Sequence, residues 1–147
     1  MKKLFIPPVF VMLCIILIVS FYIVFPGYNF IPFPFNFAGL AISFCGFVIM
    51  GKARDLFRKH NTTLGMENAS HMICDGVFFR TRNPMYIGMF LLLLGMGICF
   101  RNLFSVLSAL GFLLVMGLFF VPLEERMMQD AFGEEYAEYR KKVRRWL

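Results

Sequence analysis

Residues 85–123 read MYIGMFLLLLGMGICFRNLFSVLSALGFLLVMGLFFVPL. Two apolar runs, Met85–Phe100 and Leu103–Leu123, are joined by nothing more than Arg101-Asn102. The first has 16 residues and reaches roughly 24 Å at about 1.5 Å per residue. Two residues leave no room for a long connection, so the runs predict a tight antiparallel helical hairpin. Two further apolar runs lie upstream, Leu4–Phe25 and Phe37–Gly51. The first of these is uncharged and long enough to span a bilayer. The four runs together predict an all-α integral membrane protein. Its expected spans are about 4–25, 37–51, 85–100 and 103–123, within a single membrane domain over 1–147. A loop over 52–83 and a tail over 124–147 hold most of the polar residues.

Composition agrees with a membrane protein. Of 147 residues, 59% are hydrophobic and 16% charged, with 20 Phe and 11 Met. A soluble domain is nearer half apolar and a quarter charged. Intrinsic disorder, an ordinary cytosolic globule and a nucleic-acid partner are thereby excluded. The net charge of +6 instead reads as orientation signals and contacts for anionic membrane lipid. Fourteen of the 15 Lys and Arg fall at Lys2-Lys3, in the 52–83 loop and in the tail; Arg101 is the exception. That bias predicts that both termini and the loop face the cytoplasm, in an inner membrane if bacterial or the endoplasmic reticulum if eukaryotic. Phe25-Pro26-Gly27-Tyr28 is the wrong chemistry for signal-peptide cleavage, so the first run is expected to stay. Cys14, Cys45, Cys74 and Cys99 show no CxxC spacing and read as small buried hydrophobes.

Several constellations sit where loop and tail meet the membrane. Arg82-Asn83-Pro84-Met85-Tyr86-Ile87-Gly88 starts the third run. Structurally, Asn83 is an expected N-cap and Pro84 a first helical residue. Functionally, the same helix start and the Arg82 fork suit a carboxylate or phosphate. Glu124-Glu125 ends the fourth run. It reads either as a solvated boundary or as a carboxylate turned inward toward a cationic ligand. Neighbours on a helix diverge by about 100°, so the two acids should differ in role. In the tail, Phe132, Tyr136, Tyr139 and Val143 recur at helical spacing opposite a charged face, predicting an amphipathic helix on the cytoplasmic side that lies on the membrane or caps the bundle. Gly76 is the expected turn in the loop segment Ser70–Phe78. His60 and His71 have no metal-ligand cluster around them, so no metal is expected. Gly95-Met96-Gly97 lacks the rest of a dinucleotide fingerprint and reads as close helix packing.

Gly76-Val77-Phe78, then Arg82–Gly88, then Glu124-Glu125, then Phe132-Gly133-Glu134-Glu135-Tyr136 through Tyr139 to Val143, stand in that order. Taken together, the pattern resembles the isoprenylcysteine carboxyl methyltransferase family and its relatives among membrane phospholipid methyltransferases. The resemblance covers roughly Ser70 to Val143. It implies an S-adenosylmethionine-dependent methyltransferase in the membrane, with the cofactor held at the cytoplasmic face between loop and tail. Carried over by position, Ser70, His71, Met72 and Ile73 would contact the cofactor through the loop backbone. Phe78 stands where the family often has Tyr. Arg82, Asn83, Pro84, Met85 and Tyr86 would line the pocket, Glu124 would bind the cofactor's polar end, and Glu125 would support it.

Two departures stand out. Asn83 takes the place of a common family His and cannot titrate near neutrality. Phe119, Phe120 and Val121 stand where prenylcysteine enzymes place an Arg, which speaks against a prenylcysteine carboxylate as substrate. Arg82 and Glu125 are the expected catalytic groups, Glu125 or water taking a proton if the acceptor is an amine. The acceptor is expected to be lipophilic or lipid-linked and to enter sideways from the membrane; a lipid amine, a lipid-linked carboxylate and a small hydrophobic thiol or alcohol all stand open. A second reading is a small non-catalytic membrane protein that keeps the family scaffold.

Overall fold

The computed structural model describes residues 6–60 and 72–147. Among them there is no β-strand. The chain runs α1 (Ile6–Val24), α2 (Ala38–Lys59), α3 (Pro84–Cys99), α4 (Leu103–Val115) and α5 (Val121–Lys142). Three helical stretches are long and apolar enough to cross a membrane: Pro7–Val24, Phe35–Lys59 and Leu103–Lys142. α3 is apolar but shorter. The exterior agrees with a lipid-facing protein. Phe44, Phe47, Leu114, Leu118 and Phe119 all point outward, while the interior holds Ile18, Leu93, Phe112 and Met116.

The hairpin turn is built by two side chains. Arg101 adopts φ 62°, and Asn102 caps α4 by accepting from the Phe104 and Ser105 amides at 3.0 and 3.3 Å. Asn102 also donates to the Phe25 carbonyl at 2.7 Å, and Arg101 Nε donates to the Ile31 carbonyl at 2.6 Å. The outer loop is therefore stitched to the hairpin. Glycine governs the α2–α3 contact. A methyl group on Gly46 would stand 2.6 Å from the Gly88 carbonyl oxygen, and one on Gly95 would strike Ser43 and the Gly39 carbonyl. Such close backbones suit helices packing in lipid, where small residues replace a hydrophobic driving force. Ser43 Oγ uses the proximity to donate to the Leu92 carbonyl at 3.1 Å.

The expected boundaries change in two places. α2 continues to Lys59 rather than stopping at Gly51, because Lys52, Arg54, Arg58 and Lys59 are sound helix formers that carry it past the apolar zone. The loop therefore begins at residue 60, not 52. The fourth span and the tail are one helical path from Leu103 to Lys142. A π-helical turn, Met116–Phe120, absorbs Pro122, whose ring has no N–H and would collide with the carbonyl four residues back. A second break falls at Gly133, with φ 52° and ψ −120°. Tyr136, Tyr139 and Val143 beyond it form one buried face, and Phe132 packs on the same cluster. Of the cysteines only Cys14 is buried. Cys45 is exposed, and Cys74 and Cys99 are intermediate, so the uniform burial expected of them does not hold.

Candidate active site at the start of the third helix

Residues 72–83 reach α3 through a single 3-10 turn, Gly76–Phe79, that opens on Gly76 at φ 58°. The turn buries Phe78 against Phe57, edge to face at 5.5 Å, and next to Ile73. Tyr139 Oη donates to the Phe78 carbonyl at 2.6 Å, fastening the turn to α5. The helical break at Gly133 thus lets the last part of α5 fold back over the segment that leads into α3.

The two glutamates diverge as neighbours on a helix must. Glu124 is partly buried and accepts from Tyr86 Oη at 2.7 Å. Glu125 is buried and held by two guanidinium groups. Arg82 Nη1 lies 3.1 Å from its Oε1, and Arg145 closes a fork on it at 3.1 and 2.6 Å. Arg82 is itself only 9% exposed at the side chain. Its Nη1 also reaches Tyr136 Oη at 3.5 Å, while its buried Nε has no partner among the described residues. The hydrogen bonds to Glu125 push the Arg145 pKa up and keep it charged.

The chain's last residues strap this cluster. The Arg82 amide donates to the Arg144 carbonyl at 3.0 Å. The Arg145 carbonyl accepts from Thr81 Oγ1 at 3.1 Å and from Asn83 Nδ2 at 3.0 Å. Asn83 therefore occupies the N-cap position of α3 without capping it, contrary to expectation: its amide group is committed to the strap, and no side-chain cap bond forms. Trp146 packs on the bundle core beside Gly117.

Of the expected site residues, Arg82, Asn83, Tyr86, Glu124 and Glu125 come together through hydrogen bonds and ion pairs. Ile73 and Phe78 support them from below the turn, and Met85 packs between that cluster and the bundle core. Met72 lies apart, with Cys74 and Tyr139, on a cavity of about 440 Å³. Burial, with Glu135 and Asp75 nearby, raises the Cys74 thiol pKa and keeps it a poor nucleophile. Pro84 lines a different groove, toward α2. Ser70 and His71 lie outside the described residues. His60 sits 3.4 Å from Asp75, and no metal-binding cluster exists among the described residues. Thr81 and Arg145 join the site without a warning from the sequence, and Tyr136, expected on the packing face of the tail helix, joins it through Arg82. Arg145 is one of several basic tail residues, and nothing local marks it as the one that folds back.

Residues 35–135 match the family model described as phospholipid methyltransferase. The chain belongs to the phospholipid methyltransferase family. The match takes in the Arg82–Tyr86 turn and both glutamates of the site, and it ends before Tyr136, Tyr139 and Arg145. The protein-S-isoprenylcysteine O-methyltransferase of Schizosaccharomyces pombe is 36% identical over 80 residues, covering 52% of this chain and 33% of that protein. A probable protein-S-isoprenylcysteine O-methyltransferase of Oryza sativa subsp. japonica is 33% identical over 87 residues, 57% of this chain and 44% of that one. An uncharacterized protein of Haemophilus influenzae is 38% identical over 63 residues, its whole length and 43% of this chain. The chain spans between a third and a half of the two named methyltransferases.

Proposed function

We propose that this member of the phospholipid methyltransferase family is an S-adenosylmethionine-dependent methyltransferase. It acts on a lipophilic or lipid-linked acceptor at the cytoplasmic face of its membrane, with four spans and both termini on that side. The observation that carries the reading is the pairing of the acidic dyad with the start of α3: Tyr86 on Glu124 at 2.7 Å and Arg82 on Glu125 at 3.1 Å. Two elements 38 residues apart in sequence thereby build one charged, partly buried cluster next to an apolar bundle.

The donor set fits the cofactor. A partly buried carboxylate costs free energy unless a cation or several donors compensate it. Glu124 has one hydrogen-bond partner among the described residues, the neutral Tyr86 phenol. Arg82 keeps a buried Nε with no partner among the described residues, and that atom suits a carboxylate. In the proposed complex Glu124 meets the cofactor's cationic end and Arg82 its carboxylate. Asn83, Met85 and the backbone at Ser70–Ile73 form the walls. S-adenosylmethionine supplies an electrophilic methyl group on a sulfonium sulfur. Tyr86 fixes the rotamer of Glu124, and its ring face favours a nearby cation. Arg82 and Arg145 neutralise Glu125, which leaves Glu124 as the carboxylate of that pair open to the ligand. Glu125 is held on both oxygens, so its part is to position Arg82 rather than to take a proton. A lipophilic acceptor approaches laterally, because its chain need not leave the lipid. Holding it in line with the methyl group removes the entropic cost of orienting the two reactants.

One observation favours the scaffold-only reading: the strap carbonyls of Arg144 and Arg145 already occupy donors at Thr81, Arg82 and Asn83. Calorimetric titration of S-adenosylhomocysteine into the detergent-purified chain separates the two. Saturable one-to-one binding, abolished in Glu124→Ala and weakened about tenfold in Tyr86→Phe, is expected. No binding by protein of unchanged helicity would favour the scaffold. Unchanged affinity in Glu124→Ala would remove Glu124 from the site.

A further inference from the structure

A groove of about 770 Å³ runs between α2 and α3. Its α3 wall is Pro84, Ile87 and Leu91, which recur at helical spacing on one face. Tyr86, Met89 and Leu93 recur on the opposite face and pack in the bundle core. The body of α3 therefore stands between the groove and the pair Glu124 and Tyr86, with Thr81 bordering both sides.

The α2 wall changes chemistry in one direction. Val48 and Ile49 are apolar, Lys52 follows one turn later, and Asp55 and Lys59 come after it. Lys52 is the first charged residue of α2, so it marks the depth at which hydrocarbon gives way to headgroups. Arg80 faces the same space from the other wall. Among the side chains that line the groove, three cations thus meet one acid, Asp55; the last residue, Leu147, lines it too. Lys52 and Arg80 form no ion pair among the described residues, and Lys59 shares Asp75 at 4.0 Å with its side chain 71% exposed.

We propose that this groove binds one anionic glycerophospholipid of the cytoplasmic leaflet. An acyl chain lies along Val48, Ile49, Ile87 and Leu91, and the phosphate sits between Lys52 and Arg80. The order of chemistries along the groove, apolar and then cationic, is the order that a leaflet lipid presents. The surplus of positive charge selects an anionic headgroup over a zwitterionic one. The site does not depend on methyl transfer, and its test reads no activity.

The full-length chain is reconstituted with equal amounts of phosphatidylglycerol and phosphatidylcholine of the same acyl chains. Retained lipid is counted by native mass spectrometry. One phosphatidylglycerol per chain is expected to be retained in preference to phosphatidylcholine. Lys52→Gln with Arg80→Gln should lower that retention at least tenfold, at roughly fivefold for each cation removed. Arg54→Gln with Arg58→Gln removes equal charge from exposed residues of α2 outside the groove and should change it less than twofold. Ile49→Trp, which fills the apolar part, should expel the lipid with both cations in place. Equal retention of the two lipids overturns the proposal. So does a control pair as damaging as the groove pair, or full retention in Ile49→Trp. S-adenosylhomocysteine binding is measured separately, so either reading can fail alone.

Discussion

Removing Glu125 should destabilise the protein far more than removing Arg145, although each change breaks the same ion pair. Arg82 and Glu125 are 9% and 10% exposed at the side chain, whereas Arg145 is 38% exposed. In Glu125→Ala, Arg82 keeps its charge in a buried place, with Tyr136 Oη at 3.5 Å as its remaining side-chain partner. Breaking a buried pair by deleting one member costs about 3–5 kcal/mol, because an uncompensated charge stays behind. In Arg145→Ala, Glu125 is still held by Arg82 at 3.1 Å. What is lost is a partly solvated fork, about 1 kcal/mol after screening by water. The expected gap is about 2–4 kcal/mol, or roughly 5–10 °C in Tm for a chain of this size. Thermal unfolding followed by circular dichroism in one fixed detergent measures it. Arg82→Leu combined with Glu125→Leu should cost less than the sum of the single changes, since the double variant leaves neither of those two charges stranded. Equal Tm losses in Glu125→Ala and Arg145→Ala, or strict additivity in the double variant, would refute the claim that Glu125 anchors a buried Arg82.

Four further outcomes follow from the packing and the hydrogen bonds. Gly95→Ala should cost about 1–3 kcal/mol or block folding, since its methyl would strike Ser43 and the Gly39 backbone. Gly111→Ala, with nothing within 4 Å, should be neutral or raise Tm in the same melts. Asn102→Ala removes the α4 cap and the shorter of two hydrogen bonds to the Phe25 carbonyl, which keeps the Tyr28 amide at 3.3 Å, for a loss of about 1–2 kcal/mol in denaturant unfolding. Tyr139→Phe removes the buried hydrogen bond to the Phe78 carbonyl at 2.6 Å; a loss of about 1–2 kcal/mol, with faster amide exchange at residues 76–82, is the expected hydrogen-exchange result.

Much of this architecture was legible in the residues. The four apolar runs, the two-residue hairpin turn and the close packing at Gly95 and Gly97 follow from local chemistry and from the spacing of side chains along one chain. The divergence of Glu124 and Glu125 follows from helix geometry alone, and the shared face of Tyr136, Tyr139 and Val143 from helical periodicity. The end of α2 was not legible, because charged residues close an apolar run without closing a helix. Nor was the true length of the last helix: the span was expected to end at Leu123, and a π-helical turn carries the helix on through Pro122. Asn83 had the right identity for a cap, yet Arg145 took its side chain instead. The strap itself is a purely tertiary fact. Glu125 and Arg145 lie 20 residues apart, and the second break, at Gly133, folds the end of α5 back toward α3. Hydrophobic patterning and turn chemistry are local, so the sequence by itself determined the membrane class, the helices and the residues able to bear charge. Which charges pair inside depends on where burial makes an unpaired one intolerable, and only the folded arrangement decides that.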